Sequence, residues 1–161
     1  MTTWQIAHRS LRGNKSGAKI AASAIVTLGF TGEFVSEYKG HMPDSLDVAK
    51  ADGYLRITFS GLFSPESARY FVRAMLAACV KENCDKILFD CTPMAGNMSA
   101  VDRFEVAEYS ASILPRTLKI AVLGRQDQIL PDNFFENVAR NLGLTLTVFS
   151  EIDDAIKWLK G

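Results

Sequence analysis

From residue 46 onward the apolar and polar positions follow a regular succession. Leu46-Asp-Val-Ala-Lys50 and Tyr54-Leu-Arg-Ile-Thr-Phe59 alternate, the period of a half-buried strand. Between them, Ala51-Asp52-Gly53 supplies an Asp-Gly pair that tolerates positive φ, so the two runs are expected to close as a hairpin, with Gly61 ending the second. Ser64-Pro65-Glu66 then offers an N-cap, a proline suited to the first helical position, and an acid near the positive end of the dipole. The stripe Ala68, Phe71, Val72, Met75, Leu76 and Cys79 recurs at helical spacing, and Asn83 is the expected stop.

Lys86-Ile-Leu-Phe lacks polar alternation, as expected of a central strand covered on both faces, and ends in Asp90. A turn-rich loop, Cys91 to Met98, leads to Ser99. Ser99 is expected to cap a helix from about Ala100 to Leu114, with Asp102 completing a shortened capping box. Phe104, Ala107, Ala111 and Leu114 mark its inner face, and Pro115 closes it. Leu118 to Leu123 reads as the next buried strand. Pro131-Asp132-Asn133 opens a helix with Phe134, Phe135, Val138, Ala139 and Leu142 inward, followed by Gly143 where a left-handed residue is wanted. Thr145 to Phe149 is the last strand, and Ser150 is expected to cap a final helix facing inward through Ile152, Ala155, Ile156 and Leu159. Strands alternating with helices after a hairpin call for an α/β domain: a mixed, mainly parallel five-stranded sheet with an N-terminal hairpin and four helices.

Residues 1–41 differ in character. Met1 to Phe30 carries Arg9, Arg12, Lys15 and Lys19 and no acid, with an apolar run from Ile20 to Phe30. Basic then apolar is the order of a secretory signal, yet the run is broken by Ser23, Thr27 and Gly29, no small-x-small site follows, and it is too short to span a bilayer. Residues 1–41 are therefore expected to be a disordered leader or the product of an upstream start, and 42–161 the domain.

Composition narrows the chemistry. Eighteen basic residues balance eighteen acidic ones, leaving no bulk field to attract nucleic acid or an anionic membrane. Three cysteines and two histidines show no metal-ligand spacing, so neither a metal nor a cofactor is expected; unpaired thiols suit a reducing, cytoplasmic setting.

The element order from Leu46 to Gly161 resembles the STAS domain, the SpoIIAA-like anti-sigma-factor-antagonist fold. That family has a hydrophobic strand ending in Asp, a loop, and Asp-Ser-Ser/Thr-Gly at a helix N-terminus. With Asp90 on the strand-ending acid, Met98-Ser99-Ala100-Val101 falls on the motif, Met98 standing for the acid and Val101 for the glycine. The resemblance implies that Ser99 is the serine a partner kinase phosphorylates in regulatory members, and that the partner is such a kinase or an anti-sigma-like protein. Asp102-Arg-Phe-Glu105 and Phe134 to Arg140 look more like uncharacterised STAS-like proteins grouped with lipid-binding CRAL-TRIO folds.

The leading expectation is a non-catalytic regulatory module that binds a protein partner through loop 91–99 and the helix beginning at Ser99. Asp90, Thr92, Ser99, Asp102, Arg103 and Arg125 are its candidate binding residues. Asp102, Arg103 and Arg125 suggest a small polar site for an anion or a charged loop, with Arg103 placed to pair a phosphate on Ser99. The alternative is a carrier of a lipid or small apolar ligand, using an apolar patch of Met94, Met98, Phe104 and Phe134. Phe134 and Phe135, about 100° apart on a helix, are not expected to be equally buried. Asp90 also suits a loop-anchoring role, and Glu105 and Glu108 read as a solvated face. An enzyme would have to use Asp90, Cys91 or Asp102, and no tuned partner for any of them is evident.

Overall fold

The computed structural model describes residues 44–161 together with the backbone of one short strand, β1 (Ala18–Ile20). The expectations for the rest of residues 1–41 lie outside the described residues. The hairpin forms as read: β2 (Ser45–Ala51) pairs antiparallel with β3 (Tyr54–Leu62), Ala51 opposite Tyr54, with Gly53 at φ 81° in the turn. Then follow α1 (Pro65–Glu82), β4 (Lys86–Asp90), a two-residue β5 (Met94–Ala95), α2 (Ala100–Ile113), β6 (Lys119–Leu123), α3 (Phe134–Asn141), β7 (Thr145–Phe149) and α4 (Ile152–Lys160).

The sheet order is β1-β2-β3-β4-β6-β7, with β3, β4, β6 and β7 mutually parallel. Two strands extend the expected five: β1 adds an antiparallel edge to β2, and β5 pairs with the end of β3. That last pairing carries β3 past Gly61, where the sequence suggested it would end, to Leu62. β4 lies at the centre of the expected five.

Each parallel crossover steps to the neighbouring strand in one direction, so right-handed connections place α1, α2 and α3 on a single face. There they cover Leu55, Ile57, Phe59, Ile87, Phe89, Ile120, Val122 and Leu146 in the main core. The alternate residues of the central strands, Leu88, Ala121 and Leu123, point to the opposite face and are covered by Ala155 and Leu159 of α4. Lys119 ties α4 down: its Nζ donates to the carbonyl of Trp158 at 2.6 Å and sits 4.6 Å from the Trp158 ring centroid. The expected cap of α4 shifts by one residue, because Glu151 and not Ser150 holds the N-cap position and no side chain bonds there.

Both ends of α1 are built from the expected residues. Ser64 begins α1 and exchanges bonds with Ser67, and Asn83 ends it in the left-handed conformation. On α2 the inner face is turned from the expected one. Arg103, Val106, Ala107 and Ser110 are buried, whereas Phe104 is 41% exposed and Ala111 half-buried. The aromatic residue is displaced because its arginine neighbour finds buried acceptors that hydrophobic periodicity does not register.

Candidate functional site

The parallel strands finish at one rim, where loop 91–99 leaves β4 and the segment 124–130 leaves β6. Asp90, 2% exposed, anchors the start of the first loop. Its Oδ1 accepts from Thr92 N at 3.1 Å and Thr92 Oγ1 at 2.7 Å, and its Oδ2 accepts from Arg56 Nη2 at 2.6 Å. Three hydrogen bonds thus commit this carboxylate to anchoring the loop.

Ser99 begins α2. Asp102 N donates to Ser99 Oγ at 3.1 Å, while Ser99 N and Ser99 Oγ donate to Asp102 Oδ2 at 3.1 and 2.7 Å. This reciprocal box satisfies amides that the first helical turn leaves without partners. Ser99 itself is exposed.

The loop is held by long polar side chains reaching backbone oxygens. Arg125 Nη1 donates to the carbonyls of Thr92 and of Met94, the latter at 2.8 Å, while its Nε and Nη2 grip Asp127 at 3.0 and 3.1 Å. That fork draws the Asp127 carboxyl below its usual range. Gln128 Nε2 donates to Cys91 O and Met94 O, both at 3.1 Å, and its Oε1 accepts from Arg125 N at 2.8 Å. Asn97 Nδ2 returns a bond to Asp127 O at 3.0 Å. At Gly96, φ is 78° and an added Cβ would stand 3.1 Å from Leu62 Cδ1, so the loop passes where only glycine fits easily.

Arg103 completes the set from α2. Its Nε donates to Met98 O at 3.2 Å, and its Nη2 donates to Gln128 O at 2.6 Å and to Asn97 Oδ1. Arg103 is 7% exposed as a residue, and its guanidinium carbon lies 5.9 Å from the Phe63 ring centroid. The expected trio of Asp102, Arg103 and Arg125 therefore does not assemble as one surface site. Asp102 is committed to the cap, Arg125 to the loop carbonyls and Asp127, and Arg103 to Met98, Asn97 and Gln128.

The expected apolar patch separates as well. Met98 and Phe134 line a cavity of about 80 Å³ between the sheet, α1, α2 and the turn before α3. Met94 is buried off that cavity, and Phe104 points outward. Phe134 and Phe135 are both half-buried and both line it, and Phe135 packs against the main core; residues 131–133 form a 3-10 turn through left-handed Asp132 and Asn133 before α3. Glu136 is buried unexpectedly: Oε2 accepts the outward amide of Val148 on edge strand β7 at 2.9 Å, and Oε1 pairs with Arg140 at 3.1 Å. Glu105 and Glu108 are exposed.

Cys91 is buried against Leu123 O, to which its Sγ donates at 3.0 Å. Burial, aided by the Asp90 charge, pushes its thiol up to about 12. Cys79 is likewise pushed up to about 12 by burial. Among the described residues no cluster of metal-ligating side chains occurs, and no helix is long and apolar enough to cross a membrane.

Gln128 and Asn97 are the participants that sequence reading missed. Their acceptors are backbone oxygens far along the chain, and no local pattern announces them.

No protein-family model matches the sequence, and no curated protein matches it. Among solved structures, an anti-sigma factor antagonist from Mycobacterium paratuberculosis superposes with a TM-score of 0.53 at 16% identity, covering 72% of this chain and 93% of that one. An uncharacterized DUF3478-family protein with a SpoIIAA-like fold, from Shewanella loihica PV-4, gives 0.43 at 18% identity, covering 71% and 91%. The hairpin, the three parallel crossovers and the capped helix at the strand rim thus form the SpoIIAA-like, or STAS, fold of the anti-sigma factor antagonist.

Proposed function

We propose that this chain is a non-catalytic regulatory module that docks a protein partner on the surface made by loop 91–99 and the first turns of α2. One observation carries the reading: Val101 and Phe104, three residues apart on α2, stand 68% and 41% exposed directly after the exposed Ser99. Large apolar side chains grouped at a rigid rim favour a partner, and a loop already held in place loses little freedom on docking. The solved neighbour named as an anti-sigma factor antagonist makes an anti-sigma-type protein, or its kinase, the partner class to test first. A cytoplasmic setting suits the three free thiols.

Support for a non-catalytic role comes from the polar groups themselves. Asp90 and Asp102 are taken up by structural bonds, and Cys91 is buried and neutral at ordinary pH. A phosphoryl group on Ser99 would face the Asp102 carboxylate at hydrogen-bond distance, with Arg103 buried behind it. Modification there would break the cap and so turn the surface off, by repulsion and not by arginine capture. A lipid carrier is the weaker reading, since about 80 Å³ falls well short of the roughly 300 Å³ at which ligand pockets begin.

The test is affinity capture from host cells with the wild type, Val101→Asp, Phe104→Asp and, as a control on the far part of α1, Val80→Asp. A discrete partner lost with the first two and retained with the third supports the reading. A partner retained by all of them sinks it.

A further inference from the structure

Beyond its cap, α2 carries apolar and acidic side chains on one exposed stripe. Glu105 follows exposed Val101 by four residues and Glu108 follows exposed Phe104 by four, so a carboxylate stands one turn beyond each apolar side chain. Both acids are exposed, and neither forms an ion pair among the described residues, although Asp52, Glu82, Asp90, Asp127 and Glu136 all do. No cation of the helix itself balances them: the last turn of α2 holds no base, and Arg103 is buried. Arg69 and Arg73 of α1 meet α2 at the ring and the hydroxyl of Tyr109. The chain as a whole is neutral, with eighteen bases to eighteen acids, so the acidic character of this face is local.

Resting on the docking surface proposed above, we infer that its occupant is a basic segment of the partner protein, with an apolar side chain seated on Val101 and Phe104 and flanking lysine or arginine meeting Glu105 and Glu108. Apolar contact supplies the anchor, whereas the carboxylates at its margin choose among partners, attracting cations and repelling acids. A segment with acidic flanks would set like charges against both glutamates and be turned away. Glu105 and Glu108 lie beyond the Ser99–Asp102 cap, so a switch that acts by breaking that cap is separate from the charge they offer.

The probes are two labelled peptides sharing one stripe of leucine at helical spacing, with lysine at every other position in one and glutamate in the other. Fluorescence anisotropy on the full chain measures affinity, and amide NMR shifts locate the site. The lysine peptide is expected to bind saturably and to weaken as salt rises. It should bind about tenfold tighter than the glutamate peptide, in which attraction at two carboxylates becomes repulsion. Shifts should centre on Val101, Phe104, Glu105 and Glu108. The double variant Glu105→Lys, Glu108→Lys changes only exposed positions and should reverse the preference. Equal binding of the two peptides, a preference that survives the reversal, shifts centred elsewhere, or no saturable binding by the lysine peptide overturns the assignment. Affinity capture separates this failure from that of the docking surface. A partner lost with Val101→Asp and Phe104→Asp but kept by the charge-reversed variant leaves the surface standing and removes its basic occupant. A partner kept by all of these variants removes both.

Discussion

Arg103 on α2 and Gln128 beyond β6 are joined by a 2.6 Å bond from a guanidinium nitrogen to a backbone carbonyl, a contact made 25 residues apart in sequence. It closes a ring of side-chain-to-backbone bonds around loop 91–99, in which Gln128 reaches Cys91 O and Met94 O while Arg125 reaches Met94 O and Thr92 O. The rim is rigid because buried carbonyls cannot be left without donors.

Gln128→Ala is expected to destabilise the chain by about 1–3 kcal/mol, the cost of leaving buried polar groups short of partners. Urea unfolding measures the loss. Amide exchange should quicken in 91–99 and remain unchanged in α4, which packs on the other face.

Ser99→Ala removes an N-cap and should cost about 1 kcal/mol, whereas Ser99→Asp keeps a capping oxygen and should cost less despite facing Asp102. Paired urea melts check the order. If Ser99→Asp abolishes partner capture without a matching fall in stability, charge and not unfolding controls the surface.

Arg56→Met leaves Asp90 buried with Thr92 alone. A fully buried pair broken this way costs about 3–5 kcal/mol. The Arg56 side chain is 42% exposed, so solvent screens the pair and about 1–3 kcal/mol is expected. A double-mutant cycle with Asp90→Asn isolates the coupling.

Cys79 and Cys91 have thiols raised to about 12, so native protein at pH 8 should be alkylated at Cys84 and spared at the other two, with all three labelled in denaturant. The linkage has a definite sign. Above the unfolded thiol pKa, near roughly 8.5, the unfolded chain sheds protons that the folded one keeps. This contribution to stability is therefore complete below that pH and is lost progressively as pH climbs toward 12. Denaturation midpoints between pH 7 and 11 test it, with Cys79→Ala and Cys91→Ala variants flattening the decline.

Local grammar made most of the fold legible. The Asp52-Gly53 turn, the Ser64-Pro65 start, the Ser99–Asp102 box and the unbroken apolar run at Lys86–Phe89 each name their own conformation, and each stands in the structure. The face of α2 was legible only in part: Ala107 and Leu114 are buried as expected, but Phe104 is not. Phe104 has the more hydrophobic side chain, but Arg103 wins the interior through acceptors at Met98, Asn97 and Gln128, two of them outside its helix by only a few residues and one far away in sequence.

The docking surface itself is tested most directly by a photo-crosslinking residue placed at position 101, 104 or 80 of the chain in its host cells. Positions 101 and 104 should trap the same single protein while 80 traps none. Trapping of that protein equally from 80, or of nothing from 101 and 104, would contradict a partner seated on the first turns of α2.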